Sequence, residues 1–250
     1  MKRLDLIIFT VVLIIVNMPL LFGGFSDQLA YYPEKVISGQ WWRLITHPFV
    51  HVSLYHLLLD GAAFLMLYAQ LAEKRVFQRI AYLLGIHTAV LLGVTWGLPH
   101  VQAAGYCGLS GVAHGVMALW CMERMGGQHA KVEQRLGICI FVGLLAKCIY
   151  EVSTGHVFFE SMHFGSVGVP VVVSHLAGVV GAVVTYALLN MSHLRITKKQ
   201  LRDIISAPLS RIDPGLADRA FGIRGCDPAK TKMDTAKDHK PVLLKKKQVA

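Results

Sequence analysis

Ser110 is the residue whose surroundings in this sequence best suit a nucleophile. It lies in Gly108-Leu109-Ser110-Gly111 at the start of an apolar block, where small residues let the backbone bend tightly and the free N–H groups of a helix start point at whatever binds. A serine hydroxyl is a weak nucleophile until a base takes its proton, and His175, in a later apolar block, is the candidate base. The pattern predicts a Ser–His dyad beside an oxyanion site.

The elements that must position these two residues have the composition of a membrane protein. Hydrophobic residues make up 54% of the chain and charged residues only 16%, against about 25% charged in soluble domains. The uncharged blocks 6–22 and 80–99 approach the roughly 20 residues of a membrane-spanning helix. Lys2 and Arg3 precede the first block as in a secretory signal, but the block is long for one and no cleavage pattern follows. It is predicted to remain as a helix.

The apolar blocks predict an all-α, polytopic membrane protein with a bundle of six transmembrane helices. These helices are predicted near residues 5–23, 51–72, 80–98, 110–122, 136–152 and 168–191. With six spans, the basic clusters between helices share one side, which the positive-inside rule makes cytoplasmic, together with both termini. The long first loop, residues 24–50, contains Trp41, Trp42 and Arg43 and is predicted to lie at the lipid headgroups.

Basic residues gather between the helices and in a tail. Lys74, Arg75 and Arg79 form one cytoplasmic cluster, and fourteen of the 25 Lys and Arg residues lie in the tail. The chain therefore divides into a membrane domain, residues 1–191, and a basic, mostly disordered tail, residues 192–250. The tail is expected to bind anionic lipid. Nothing in the sequence resembles a nucleic-acid-binding module.

The fourth predicted helix is too short to cross the membrane. Its 13 residues, 110–122, span about 20 Å of the roughly 30 Å of hydrocarbon. The loop before it must therefore dip below the outer surface and line a water-filled cavity. Counting back from the cytoplasmic helix ends puts His56, Asp60, Ser110 and His175 in one layer beside this cavity. Such residues are usually functional or paired, the alternative being a polar network that only ties the helices together.

The same residues carry a resemblance to the rhomboid family. The matching motifs, in order over residues 40–190, are Trp42-Arg43, His51-x4-His56-x3-Asp60, Gly108-Leu109-Ser110-Gly111 and His175-x-x-Gly178. The resemblance implies a serine protease that cleaves peptide bonds in or beside the transmembrane segments of its substrates, with no metal and no cofactor. It implies that His56 donates to the oxyanion with the Ser110 backbone N–H. Gly178 would let its helix come close to the helix of Ser110.

A narrower resemblance is to the rhombosortase branch of that family. It rests on Gly-Leu-Ser-Gly-Val-Ala-His-Gly at residues 108–115, on Lys147-x3-Glu151, and on the Val-rich lead into His175. It implies surface-protein substrates whose C-terminal tail has a Gly-Gly-containing motif, a transmembrane helix and a basic cluster. The expected location is the inner membrane of a bacterium, with the active site open toward the periplasm. An ordinary rhomboid protease with other substrates is the alternative.

Asp60 departs from the rhomboid pattern, because most members have Asn there. An ionised carboxylate cannot donate to an oxyanion and would repel it. Asp60 is therefore either protonated or orients His56, and the second interpretation is favoured because a carboxylate commonly holds an imidazole.

Three further polar residues each allow two interpretations. His114 lies one turn after Ser110 and is expected to pack on His175 or to take a direct part in proton transfer. Lys147 and Glu151 are spaced i, i+4, which predicts an ion pair near the outer end of the fifth helix. Contact with the substrate is their alternative role.

Three other functional classes compete with a serine protease. A metal protease would use His51, His56 and Asp60, but HExxH is absent and the x4 spacing does not place two imidazoles on one helical face. A non-catalytic rhomboid-like protein would be expected to lack Ser110 or His175. A channel or transporter should carry polar residues across the whole membrane. The five cysteines form no CxxC pair, which argues against a disulfide framework.

Overall fold

The structure is a computed structural model that describes residues 4–97, 101, 104–126, 129–158 and 164–190. These residues form helices, turns and one isolated bridge between Tyr31 and Tyr106, with no strand of a sheet among them. The helices are α1 Leu4–Val16, α2 Pro33–Ile37, α3 Arg43–Thr46, α4 Leu54–Ala69, α5 Val76–Gly97, α6 Ser110–Met125, α7 Lys131–Thr154 and α8 Val173–Leu189. The predicted all-α class is confirmed for this part of the chain.

Several helices are long and apolar enough to cross a membrane. Leu4–Phe22, Val76–Thr95 and Lys131–Thr154 meet that test alone. Arg43–Phe49 and Leu54–Ala69 meet it together, with a bend of 96° between them. The protein is thus a multi-pass membrane protein, with three such spans, or four if the bent pair is one, in the described ranges. The count of six spans stays a prediction.

Helix α6 is one turn longer than predicted, because it continues past Met122 to Met125. Its 16 residues span about 24 Å, still short of the hydrocarbon thickness. Helix α4 begins later than predicted, since the Ser53 side chain accepts a hydrogen bond from His56 N at 3.0 Å and caps the helix. His51 therefore precedes the helix. The predicted tail, 192–250, lies outside the described residues.

Arg79, one of the three basic residues of the predicted cytoplasmic cluster, is buried. Its Nη1 lies 2.8 Å from Asp5 Oδ2, its Nη2 donates to Tyr68 O at 2.6 Å, and its guanidinium stacks 3.8 Å from the Tyr68 ring centroid. A buried guanidinium needs such partners, since an unpaired charge in a low-dielectric interior is costly. Arg79 thus joins α5 to the start of α1 and the end of α4.

The first loop is a folded element. Arg43 is buried, and its Nη1 donates to the carbonyls of Asp27 and Ala30, both at 2.6 Å. Tyr32 donates to Asp27 Oδ1 at 2.6 Å. This bond lowers the pKa of Asp27, and burial raises the pKa of Tyr32 to about 12. Trp41 is 65% exposed, and the location of this loop at the headgroups stays a prediction.

Helix α6 lies at the centre of the bundle, in contact with α4, α5, α7 and α8. Val116, Ala118, Leu119 and Cys121 on it are fully buried. Helices α6 and α8 approach most closely at two glycines: a Cβ built on Gly178 would lie 2.0 Å from the backbone oxygen of Gly111. A helix pair can come this close only where small residues face each other.

Candidate active site

A cavity of about 700 Å³ opens beside the start of α6. Its lining includes the four residues that the helix rise per residue places in one layer, which are His56, Asp60, Ser110 and His175. His114 and Lys147 also line it, together with apolar residues of the first loop and of the segment before α8. Groups from four helices therefore share one cavity.

Ser110 is the first residue of α6, at the end of a tight loop. Gly108 has φ +103°, a conformation that a residue with a Cβ rarely adopts, and its N–H donates to His47 O at 3.1 Å. A Cβ on Gly108 would lie 2.9 Å from His56 Nε2 and 3.0 Å from Asp60 Oδ2. The turn that carries Ser110 and Leu109 therefore runs directly against the imidazole of His56.

His175 lies near the start of α8 and is 7% exposed. Its ring stacks on the ring of His114, with centroids 4.0 Å apart and planes inclined by 10°. His114 Nδ1 in turn lies 2.7 Å from Ser110 O, and because a carbonyl can only accept, this nitrogen carries the proton. His114 thus contacts both residues of the predicted dyad, as its predicted packing role requires.

Lys147 and Glu151 form the ion pair that their spacing predicts, with 2.7 Å between Nζ and Oε1. Lys147 Nζ also lies 2.8 Å from His114 Nε2, which accepts from the ammonium. Glu151 Oε2 lies 2.8 Å from His175 Nδ1. The side chain of Glu151 is fully buried. This bond between Glu151 and His175 is the part of the site that sequence reasoning missed.

His56 and Asp60 face each other one helical turn apart on α4. Their Nε2 and Oδ2 atoms are 3.0 Å apart, yet Asp60 Oδ2 has no partner with hydrogen-bond geometry among the described residues. Val52 N approaches His56 Nδ1 at 3.5 Å, a long contact. A backbone N–H can only donate, so Nδ1 is the acceptor in this contact and the ring proton lies on Nε2, close to the carboxylate.

His51 also reaches this pair, although the x4 spacing does not place the two imidazoles on one helical face. Its ring centroid lies 4.9 Å from that of His56, and its Nε2 lies 3.8 Å from Asp60 Oδ2. The two rings meet because the Ser53 cap starts the helix after His51, so helical periodicity does not govern their separation.

One group of side chains has the composition of a metal site. Ligand atoms of His114, Cys148 and Glu151 all lie within 4.8 Å of one another. However, Lys147 Nζ already donates to both His114 and Glu151. An ammonium in that place repels a second cation and uses the lone pairs that a metal needs, so these residues do not suit a metal.

Comparisons with known proteins identify the family of this chain. The Rhomboid domain family matches residues 38–195, more than half of the chain. A relative named Rhomboid protease GlpG, from Yersinia pseudotuberculosis serotype I (strain IP32953), is 31% identical over 118 residues. That match covers 47% of this chain and 39% of the relative. No solved structure matches. Residues of three of the four expected motifs line one cavity, and the family match over residues 38–195 shows that the chain belongs to the rhomboid family.

Proposed function

We propose that the protein is an intramembrane serine protease in which Ser110 is the nucleophile and His175 the general base. The observation that carries the proposal is the position of His114, which bonds to Ser110 O at 2.7 Å and stacks on His175 at 4.0 Å inside one cavity. The close approach of Gly111 and Gly178 on the two helices supports it. Both side chains line the cavity, so a substrate peptide bond can reach them.

The proposed reaction is acyl transfer to Ser110 followed by hydrolysis. The Ser110 hydroxyl attacks the substrate carbonyl while His175 Nε2 takes its proton, and the imidazolium then protonates the leaving amine. The Ser110 N–H at the helix start and His56 Nε2–H stabilise the oxyanion. Water, or an amine acceptor in a sorting reaction, releases the acyl group.

The proposed substrates are membrane proteins cut in or next to a transmembrane segment. The motifs shared with rhombosortases support C-terminal sorting tails that contain Gly-Gly. We place the protein in the bacterial inner membrane, with both termini cytoplasmic, the cavity open to the periplasm and the basic tail, 192–250, on anionic lipid. Two membrane-anchored substrates that differ only in having Gly-Gly or Leu-Leu in the tail test this substrate preference. The Gly-Gly substrate should be cleaved faster, and equal cleavage of the two favours an ordinary rhomboid specificity.

A fluorophosphonate tests the nucleophile directly, because it reacts with an activated serine. We expect one covalent adduct on the purified protein, mapped by mass spectrometry to the peptide that contains Ser110. Denatured protein is the control, since unfolding separates Ser110 from His175. A folded protein that forms no adduct, or carries it on another serine, contradicts the proposal and favours a non-catalytic member that only binds transmembrane segments.

His56 and Asp60 are proposed to act as oxyanion donor and orienting carboxylate. His56→Ala should slow cleavage by about 10²- to 10³-fold, the usual effect of losing one oxyanion donor. Asp60→Asn should keep activity within about tenfold, because the amide has the shape of the carboxyl group and keeps the 3.0 Å contact that positions the ring of His56. Initial rates on a transmembrane peptide measure both. An inactive Asp60→Asn protein of normal abundance would refute the orienting role.

A further inference from the structure

Glu151 lies where the acidic residue of a serine-protease triad would lie. Its Oε2 is 2.8 Å from His175 Nδ1, and its side chain is fully buried. We propose that Glu151 is a positioning residue that completes a Ser110–His175–Glu151 triad, with Lys147 as its counter-ion. The inference rests on the proposed protease function and deepens it, because it replaces the expected dyad with a three-residue arrangement.

The contact with Glu151 sets the tautomer of His175. A carboxylate has no proton to give, so the 2.8 Å contact requires the imidazole to carry its proton on Nδ1. Nε2 is then left with the lone pair that must accept the Ser110 proton. Without Glu151 the ring could place its proton on either nitrogen or rotate about its side-chain bonds. The carboxylate therefore determines which atom of His175 is basic.

The two oxygens of Glu151 have separate tasks. Oε1 accepts from Lys147 Nζ at 2.7 Å and from the backbone N–H of Phe158 at 3.0 Å. Oε2 accepts the hydrogen bond from His175 Nδ1. These contacts on Oε1 fix the carboxylate while the reaction proceeds, and they satisfy a buried charge that would otherwise be costly. When His175 becomes an imidazolium, the nearest full negative charge is that of Glu151.

Lys147 connects this triad to His114. Its ammonium donates to His114 Nε2 at 2.8 Å as well as to Glu151. His114 then donates to Ser110 O and stacks on His175. The contacts form a closed ring through His114, Lys147, Glu151 and His175, and Ser110 is joined to this ring through His114. Such a ring holds two imidazoles and the start of α6 in one geometry, which accurate acyl transfer requires.

The competing interpretation is that Glu151 only ties α7 to α8. The two roles differ in what a substitution changes. Loss of a structural tie lowers stability, whereas loss of a positioning carboxylate lowers the rate of the chemical step in protein that is still folded. The maximal rate of fluorophosphonate inactivation reports that step, and the reagent concentration at half-maximal rate reports binding.

We expect Glu151→Gln to lower the maximal inactivation rate by about 10²- to 10⁴-fold, as loss of the triad acid does in soluble serine proteases. The reagent concentration that gives the half-maximal rate should change less than about threefold, since Glu151 does not contribute to binding of the reagent. Asp5→Asn is the matched control, because Asp5 pairs with the buried Arg79 and lies outside the cavity. It should lower the melting temperature and leave the inactivation rate unchanged.

A second variant covers the case in which Glu151→Gln does not fold because Lys147 is left without its anion. Glu151→Gln with Lys147→Met removes both charges and should fold, yet remain at least about 10²-fold slower than wild type. A folded variant of either kind that reacts at the wild-type rate overturns the role of Glu151 and leaves the protease standing. Wild-type protein without an adduct on Ser110 overturns the proposed function, and the triad with it.

Discussion

Alanine at Ser110 or at His175 is expected to slow cleavage of a transmembrane peptide by at least about 10⁴-fold. Without the Ser110 hydroxyl there is no acyl-enzyme, and without His175 there is no positioned base to take the proton of that hydroxyl. The residual rate of these variants comes from the oxyanion site and from substrate binding. The measurement is the single-turnover rate of cleavage of a fluorogenic transmembrane peptide with a Gly-Gly-containing motif.

Matched controls and a double variant make this result specific. Ser38→Ala and His129→Ala change the same residue types at positions that do not line the cavity, and both should cleave at the wild-type rate. The double variant of Ser110 and His175 should be no slower than either single variant, because two groups that act in one step are not additive. A Ser110→Ala protein that keeps more than about 1% of the wild-type rate would mean that another group attacks the peptide bond.

The layer of polar residues could be predicted from the sequence because helix geometry fixes depth. A rise of about 1.5 Å per residue puts residues of different helices at comparable heights once the helix ends are known. His56, Asp60, Ser110 and His175 do line one cavity. The i, i+4 pairs were predictable for the same reason, and Lys147 with Glu151 is the example.

The second partner of Glu151 could not be predicted from the sequence. The helix rise per residue gives the height of a residue along its helix but not the direction in which its side chain points. The bond to His175 depends on how α7 is rotated against α8, and the two positions, 24 apart in the sequence, lie on different helices whose relative rotation no sequence period gives. The position of His51 was missed for a related reason, because the start of α4 depends on the Ser53 cap.

Gly178→Ala is expected to reduce cleavage by about 10²-fold or more, although the change lies outside the triad. The added Cβ would lie 2.0 Å from the Gly111 backbone oxygen, and backbone cannot move aside as a flexible side chain can. Helices α6 and α8 must therefore separate by roughly 1 Å. One helix carries Ser110 and the other His175, and a misplacement of that size costs about 10²-fold in rate.

Gly143→Ala is the matched control for this prediction. Gly143 also lies within a long apolar helix, but a Cβ there meets nothing within 4 Å. The control should keep wild-type activity and stability, whereas overpacking at Gly178 should lower stability by about 1–3 kcal/mol. Cleavage rates and thermal unfolding in the same detergent compare the two variants. If Gly178→Ala cleaves as fast as Gly143→Ala, close contact of α6 and α8 is not what brings Ser110 and His175 together, and the geometry of the dyad must depend on the ring of contacts through His114, Lys147 and Glu151 instead.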